Sequence, residues 1–200
     1  MRILIQTLKK LTNLRWLNLF EVEYEHASGT RSRWQFASRK PAPALTADPL
    51  RPDAVFIVPI LKTSNGNRLV VLKEFRIPLG DYEFSFPAGL KETGEEIETT
   101  VGRELAEETG LVLGRILATS PPVVSSAGMS DESAVIAVVD CTGEPNTRGV
   151  NDAEEIEILV LDYDEVLALR RSNVKFASKA WLVLLMFEAI GHLAWPEKLK

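Results

Sequence analysis

The chain has 200 residues, of which 46% are apolar and 26% charged, and its 23 Lys and Arg against 28 Asp and Glu give a net charge of −5. This composition fits one folded domain, or one domain with an appendage, and excludes a disordered or fibrous chain. The one cysteine, Cys141, excludes an internal disulfide and a multi-cysteine metal site. The first 20 residues do not resemble a signal peptide, and no apolar run approaches a membrane span. We therefore expect a cytoplasmic protein without a membrane partner.

The N-terminal part of the sequence predicts a small β structure. Two apolar runs, 14–24 and 33–39, read as strands joined by a glycine-containing turn at 28–30. A proline-rich stretch at 40–52 reads as a linker. We therefore predict an N-terminal antiparallel β appendage over residues 1–45 and a main domain over 46–200.

The main domain mixes strand and helix patterns. Strands are predicted at 54–61, 68–75, 82–86, 111–118, 133–141 and 156–161, and helices at 97–109, 164–171 and 177–190. Asn65-Gly66 between the first two strands predicts a hairpin. This order predicts an α+β fold with a mixed β-sheet sandwiched between helices, and it leaves the strand order open.

The negative charge is concentrated in the middle of the chain. Residues 91–108 contain seven acids and two bases, a local net charge equal to that of the whole chain, whereas residues 1–51 contain nine bases and four acids. Residues 152–165 contain seven more acids and no base. Such a distribution excludes a nucleic-acid duplex as the partner of the acidic part.

The spacing of the acids in the predicted helix 97–109 indicates a metal site. At about 100° per residue from Ile97, Val101 and Leu105 lie near 40° and 80°, and Glu104 and Glu108 near −20° and 20°. These carboxylates border the apolar stripe, whereas a solvated acidic face would lie opposite it. Glu104 and Glu108 also repel one another as an i, i+4 pair. A hard divalent cation such as Mg²⁺ or Mn²⁺ would relieve this repulsion.

The same residues carry a resemblance to a known family. Gly89, five residues, Glu95, seven residues, Arg103-Glu104-Leu105, one residue, Glu107-Glu108, one residue and Gly110-Leu111 match every defined position of the Nudix box. The segments 87–90 and 126–132 and the β appendage resemble the ADP-ribose pyrophosphatase branch of the Nudix hydrolases. The resemblance implies the Nudix fold and a hydrolase of ADP-ribose or a related nucleoside diphosphate sugar, in which water attacks the pyrophosphate with the help of two or three Mg²⁺ or Mn²⁺ ions.

The resemblance also assigns roles to the motif residues. The implied metal ligands are Glu104, Glu108, the carbonyl of Ala88 and Glu107, which either binds metal or orients the water. The implied structural residues are Gly89, Glu95, Arg103 and Gly110, with Arg103 and Glu95 forming an ion pair that holds the loop to the helix. The alternative for Arg103 is an exposed i, i+4 pair with Glu107.

The base and the substrate contacts are less closely defined. Candidates for the general base are Asp152, Glu154 and Glu155, although a solvated strand edge would also explain these acids. Candidates for substrate binding are Arg76, Trp34, Arg39, Arg51 and Glu132. Trp34 is expected either to stack on adenine or to pack within its strand, and Glu132 either to meet substrate or metal or to remain an exposed loop acid.

One difference from the family pattern means that the substrate is not defined by the sequence. ADP-ribose-cleaving relatives usually carry Glu where this chain has Ser85, and Glu83 lies on the same face of the predicted strand. A UDP- or GDP-sugar pyrophosphatase is therefore an alternative, and a Nudix domain that senses a nucleotide without hydrolysing it is a second. The resemblance further implies a homodimer formed through the appendage, with Arg39 and Arg51 adding positive charge to the partner's site.

Overall fold

The computed structural model describes residues 3–45, 51–150 and 155–196, and the chain divides into two compact units. The first unit is Met1–Asp53 with Pro122–Ala134, and the second is Ala54–Pro121 with Val135–Lys200. The domain boundary at residue 45 stays a prediction, because residues 46–50 lie outside the described part. No helix among the described residues is long and apolar enough to cross a membrane.

The first unit is built on a three-stranded antiparallel sheet in the order β1-β2-β3. Its strands are β1 (Leu4–Lys10), β2 (Asn18–Glu25) and β3 (Arg31–Ser38). Phe20, Val22 and Phe36 form its small buried cluster. The sheet confirms the predicted antiparallel appendage, although strand β1 was not predicted.

The predicted strand 14–24 is correct only from residue 18 onward. The Asn18 side chain accepts a hydrogen bond from the Leu14 N–H (2.7 Å) and donates one to the Leu14 carbonyl (2.9 Å). Asn favours such local side-chain bonds to the backbone. Residues 14–17 therefore turn the chain between β1 and β2 instead of extending it.

The second unit contains the main sheet and three helices. Its strands run in the order β11-β5-β4-β10-β8, with β6 paired to β5 and β7 to β4. The elements are β4 (Ala54–Thr63), β5 (Gly66–Arg76), a 3-10 turn (Ile77–Leu79), β6 (Asp81–Ser85), β7 (Ala88–Leu90), α1 (Ile97–Thr109), β8 (Val112–Thr119), β9 (Val123–Val124, in the first unit), β10 (Ser133–Thr142), β11 (Ile156–Leu161), α2 (Tyr163–Arg171) and α3 (Ser178–Ile190). The predicted α+β fold is confirmed, whereas β7 and β9 were not predicted.

Helices cover both faces of this sheet, because successive residues of a strand point to opposite sides. Val55 and Ile57 of β4 belong to a buried cluster with α1, whereas Phe56 and Val58 belong to a second cluster with α2 and α3. The sheet is therefore sandwiched between α1 on one face and α2 with α3 on the other.

Strands β4 and β5 separate and leave room for two short strands. Leu69 pairs with both β4 and β11, and Leu72 pairs with both β6 and β11. Since a strand has two edges, β4 and β6 share one edge of β5. The chain then crosses from β5 to β4 at Pro87, whose carbonyl accepts the Ile57 N–H (2.8 Å). This crossing leads directly into β7, from which the candidate site is built.

Candidate active site

The carboxylates of α1 line a cavity of about 380 Å³ in the second unit. The residues around this cavity are Ala88, Gly89, Leu90, Glu104, Glu107, Glu108, Gly149 and Val150. Glu104 is buried, Glu108 is half-buried and Glu107 is exposed. The structure therefore brings together the four residues that were predicted to bind metal.

Gly89 allows β7 to lie directly against α1. A Cβ atom built on Gly89 would lie 1.9 Å from the Cδ atom of Glu104 and 2.1 Å from both of its carboxylate oxygens. Any side chain at this position would therefore displace the Glu104 carboxylate. On the same strand, the Ala88 N–H donates a hydrogen bond to Oε2 of Glu108 (3.1 Å).

Arg103 holds several of the surrounding acids. Its Nε donates to Oε1 of Glu95 (3.1 Å), and its Nη2 donates to the Leu90 carbonyl (3.0 Å). Its Nη1 donates to Oε1 of Glu104 (2.7 Å) and to Oε2 of Glu107 (3.3 Å). The guanidinium therefore makes the ion pair expected with Glu95, the i, i+4 pair with Glu107 and a third pair with Glu104, all at once.

Glu95 is held in its charged form. The hydrogen bond from Arg103 comes first among the causes that lower the pKa of Glu95 to about 2, followed by the backbone N–H of Glu92 (3.0 Å). The Thr100 hydroxyl also donates to Glu95 (2.9 Å). Glu95 therefore fixes the loop before α1 to the first turn of the helix and orients Arg103.

The pKa of Glu104 is shifted in the opposite direction. Burial raises the pKa of Glu104 above its ordinary value, although the hydrogen bond from Arg103 acts in the other direction. The buried carboxylate is thus costly to charge and gains from a nearby positive group.

The donor set fits a hard divalent cation. It consists of three carboxylates and the backbone of Ala88 around one cavity, and oxygen ligands of this kind suit Mg²⁺ and Mn²⁺. Within residues 3–45, 51–150 and 155–196, no three His, Cys, Asp or Glu side chains converge as a ready metal cluster. Two of the three carboxylates instead contact Arg103.

Gly110 ends α1 in a left-handed conformation with φ of 69°, which glycine adopts without strain. Its N–H donates to the Ala106 carbonyl (2.9 Å). The Asn146 side-chain amide lies where a Gly110 side chain would be, with Nδ2 2.1 Å from the ideal Cβ position. The loop that contains Asn146 was not predicted to take part in the site, and no motif or spacing in the sequence marks it.

Arg76 lies at the end of β5, on the face of the sheet that α1 covers. It contacts Glu74, and its Nε lies 3.4 Å from Oε1 of Glu83. Burial opposes the charge of Arg76, but the hydrogen bond to Glu74 and the attraction of Glu83 and Glu108 together raise the pKa of Arg76. Arg76 therefore interacts electrostatically with one of the carboxylates of the cavity.

Ser85 and Glu83 lie on the same face of β6 as expected, opposite Leu72 and Glu74 of β5. The Ser85 hydroxyl donates to the neighbouring Phe86 carbonyl (3.4 Å), whereas Glu83 pairs with Arg76. Burial is the main reason that the pKa of Glu83 is raised. Glu83, the acid on the same face as Ser85, is therefore paired with Arg76, which was predicted to bind substrate.

Glu155 does not join these carboxylates. It precedes β11 beside Phe75, whose N–H donates to the Glu155 carbonyl (3.1 Å), and its side chain accepts a hydrogen bond from the Tyr82 hydroxyl. By strand alternation these residues lie on the face that α2 and α3 cover. The other candidate bases, Asp152 and Glu154, lie outside the described residues.

The substrate-binding candidates of the first unit have different surroundings. Trp34 is exposed and lines an apolar cavity of about 450 Å³ together with Tyr24 and Phe36. Arg39 instead pairs with Glu132, with Nε 3.2 Å from Oε2, so two of the predicted substrate contacts meet each other. Arg51 is exposed, and its carbonyl accepts a hydrogen bond from the Ser133 hydroxyl (3.4 Å).

The sequence is similar to that of a known family. A family model for the NUDIX domain matches residues 50–182. The ADP-sugar pyrophosphatase of Mus musculus is 30% identical over 159 residues, which cover 76% of this chain and 70% of that protein. The ADP-ribose pyrophosphatase of Saccharomyces cerevisiae is 30% identical over 155 residues, which cover 76% of this chain and 64% of that protein.

A solved structure shows the same fold. The crystal structure of an ADP compounds hydrolase aligns with a TM-score of 0.70 at 19% identity and covers 96% of each chain. Together with the match to the family model, the shared fold and the carboxylate cavity of α1 place this chain in the NUDIX family, as a hydrolase of the Nudix class.

Proposed function

We propose that this chain hydrolyses the pyrophosphate bond of ADP-ribose or of a related nucleoside diphosphate sugar, with Mg²⁺ or Mn²⁺ as cofactor. The observation that carries the proposal is the cavity that is lined by three α1 carboxylates and the backbone of β7. The names of the relatives from mouse and yeast support an ADP-linked substrate.

The proposed cofactor ions are two or three in number. Glu104, Glu107, Glu108 and the Ala88 carbonyl would hold them. When bound, they would neutralise the diphosphate, position the attacking water and lower its pKa. Arg103 would remain beside Glu104 and Glu107 and orient both carboxylates.

The proposed reaction joins the water oxygen to one phosphorus and breaks the bond from that phosphorus to the bridging oxygen. ADP-ribose would give AMP and ribose 5-phosphate. A carboxylate takes a proton from the water, and we assign this role to Asp152 or Glu154, because the Glu155 side chain contacts Tyr82 on the opposite face of the sheet. Arg76 would bind a phosphate oxygen and so orient the diphosphate.

Residues of the first unit are proposed to recognise the rest of the substrate. Trp34 offers an exposed aromatic face to a nucleobase. In a homodimer, Arg39 and Arg51 would supply positive charge for the diphosphate in the partner's site, and Glu132 would accept hydrogen bonds from sugar hydroxyls. Because Ser85 departs from the family pattern, a UDP- or GDP-sugar is the second candidate substrate.

Replacing Glu108 tests the proposed chemistry. The proteins compared are wild type, Glu108→Gln and the control Glu98→Gln. Each is incubated with Mg²⁺ and ADP-ribose, a UDP-sugar or a GDP-sugar, and phosphate release is measured after phosphatase treatment. Glu98 is an exposed acid in the first turn of α1, outside the cavity. We expect turnover of at least one compound, unchanged in Glu98→Gln and about 10³-fold lower in Glu108→Gln, because a metal ligand is lost.

The panel also separates the rival functions. Preference for a UDP- or GDP-sugar would replace the ADP-linked assignment. A wild type inactive on the whole panel would favour nucleotide sensing, and an active Glu108→Gln would remove Glu108 from the metal site.

Single substitutions identify the base. We expect Asp152→Asn or Glu154→Gln, but not both, to lower kcat by about 10² to 10⁴-fold, which is the usual contribution of a general base. Glu155→Gln serves as the control and is expected to remain close to wild type. A large loss of kcat in Glu155→Gln would overturn the assignment, and three near-normal variants would exclude all these acids.

We also propose that the chain forms a homodimer through the first unit. Its surface exposes apolar side chains on strand β1 and directly before it, including Ile5 and Ile3, around the apolar cavity. Apolar surface of this kind commonly marks a protein interface.

Charge substitutions test the homodimer. Ile5 and Leu182 are 49% and 59% exposed, but Leu182 lies on α3 in the second unit and provides a matched control. Light scattering after size-exclusion chromatography should show a dimer for wild type and Leu182→Glu and a monomer for Ile5→Glu, because a buried charge weakens an apolar interface. A monomeric wild type, or a dimeric Ile5→Glu, would contradict the proposal.

A further inference from the structure

The segment 143–150 lies against the C-terminal end of α1. The Asn146 N–H donates a hydrogen bond to the Thr109 carbonyl (2.8 Å), and the Asn146 side chain occupies the space beside Gly110. The last carbonyls of a helix have no partner within the helix, so an outside donor is needed. This segment supplies one and thereby ties itself to α1.

Gly149 makes the closest approach to the helix. A Cβ atom on Gly149 would lie 2.5 Å from the carbonyl oxygen of Glu107 and 2.8 Å from its Cα atom. Real Cβ atoms do not come within 3.0 Å of other heavy atoms, and both of these neighbours are backbone atoms that no side-chain rotation can move aside. Glycine is therefore the residue that fits here without a shift of the segment or the helix.

The segment also forms part of the cavity. Gly149 and Val150 line it together with Glu104, Glu107 and Glu108. In the sequence, the proposed bases Asp152 and Glu154 follow directly. The position of Gly149 on Glu107 thus defines one wall of the cavity.

We propose that Gly149 is a positioning residue for the hydrolysis. Its missing side chain lets the segment 143–150 rest on the Glu107 backbone, and this contact sets the distance between the cavity wall and the carboxylates of α1. The inference rests on the proposed function, since it concerns the same reaction.

A displacement at Gly149 would spread through the segment. The Arg148 N–H donates to Oδ1 of Asn146 (3.2 Å), and the Val150 N–H donates to the Thr147 carbonyl (3.1 Å). The first bond links two residues before Gly149, and the second spans Gly149. An added methyl group would therefore move several residues together, and a misplacement of about 1 Å costs roughly 10²-fold in rate.

The test compares Gly149→Ala with Gly102→Ala. Gly102 lies within α1, where a Cβ atom would make an ordinary contact of 3.7 Å with Leu113, so its replacement adds the same methyl group without a clash. We expect Gly149→Ala to lower kcat by about 10²-fold with KM nearly unchanged. Gly102→Ala should keep wild-type kcat and KM.

Hydrogen exchange supplies a readout independent of activity. In Gly149→Ala, the amides of Asn146 and Val150 should exchange faster than in wild type, while the amides of α1 keep their protection. Gly102→Ala should show no change in the segment. This pattern separates loss of the docking contact from general destabilisation of the fold.

Three results would overturn the inference: wild-type kcat in Gly149→Ala, unchanged exchange at Asn146 and Val150, or loss of protection throughout α1. A wild type that hydrolyses none of the panel compounds would contradict the proposed function instead. The exchange comparison would then still decide whether Gly149 docks the segment on α1.

Discussion

The candidate site depends on the close approach of β7 to α1 at Gly89. Without a side chain at this position, the strand lies against the Glu104 carboxylate, which would otherwise be displaced by a Cβ atom 1.9 Å away. The same approach places the Ala88 N–H on Glu108. It also buries Glu104, and this burial raises the pKa of Glu104. A single backbone constraint thus brings the strand, the carboxylates and the cavity together.

The concentration of negative charge then requires a compensating group. Arg103 contacts Glu95, Glu104 and Glu107 at once, and one guanidinium does not neutralise three carboxylates. Glu108 adds a further acid to the same cavity. Three of the seven acids in residues 91–108, namely Glu104, Glu107 and Glu108, therefore line one concave surface, and such focusing of negative charge attracts cations.

Much of the second unit could be predicted because its local patterns agree with its tertiary structure. The helix predicted at 97–109 has the bounds observed for α1, since its apolar spacing and the terminal Gly110 indicate the same element. Strand β1 was missed because all seven of its residues are exposed and the sequence lacks a buried alternation. Strand β7 was missed because three residues that include a glycine carry too little pattern.

The site residues that belong to the sequence motif could be predicted. Those whose role depends on a tertiary contact could not. Glu104, Glu107 and Glu108 share one helix, so their position along one cavity follows from helical geometry. To place Glu155 on one face of the sheet, the pairing of β11 with β5 must be known. Strand alternation in the sequence does not give this pairing. Gly149 could not be recognised, because its constraint comes from the backbone of Glu107, a residue far away in the sequence.

If the α1 carboxylates bind a divalent cation, then Mn²⁺ should bind to the protein in the absence of substrate. Free Mn²⁺ would be followed by electron paramagnetic resonance during titration of wild type and of Glu104→Gln, without substrate. We expect saturable Mn²⁺ binding to wild type and an affinity lower by about 10-fold or more in the variant, since a charged oxygen ligand is replaced by a neutral amide. Equal affinity in the two proteins, or no binding to wild type, would contradict metal binding by these carboxylates.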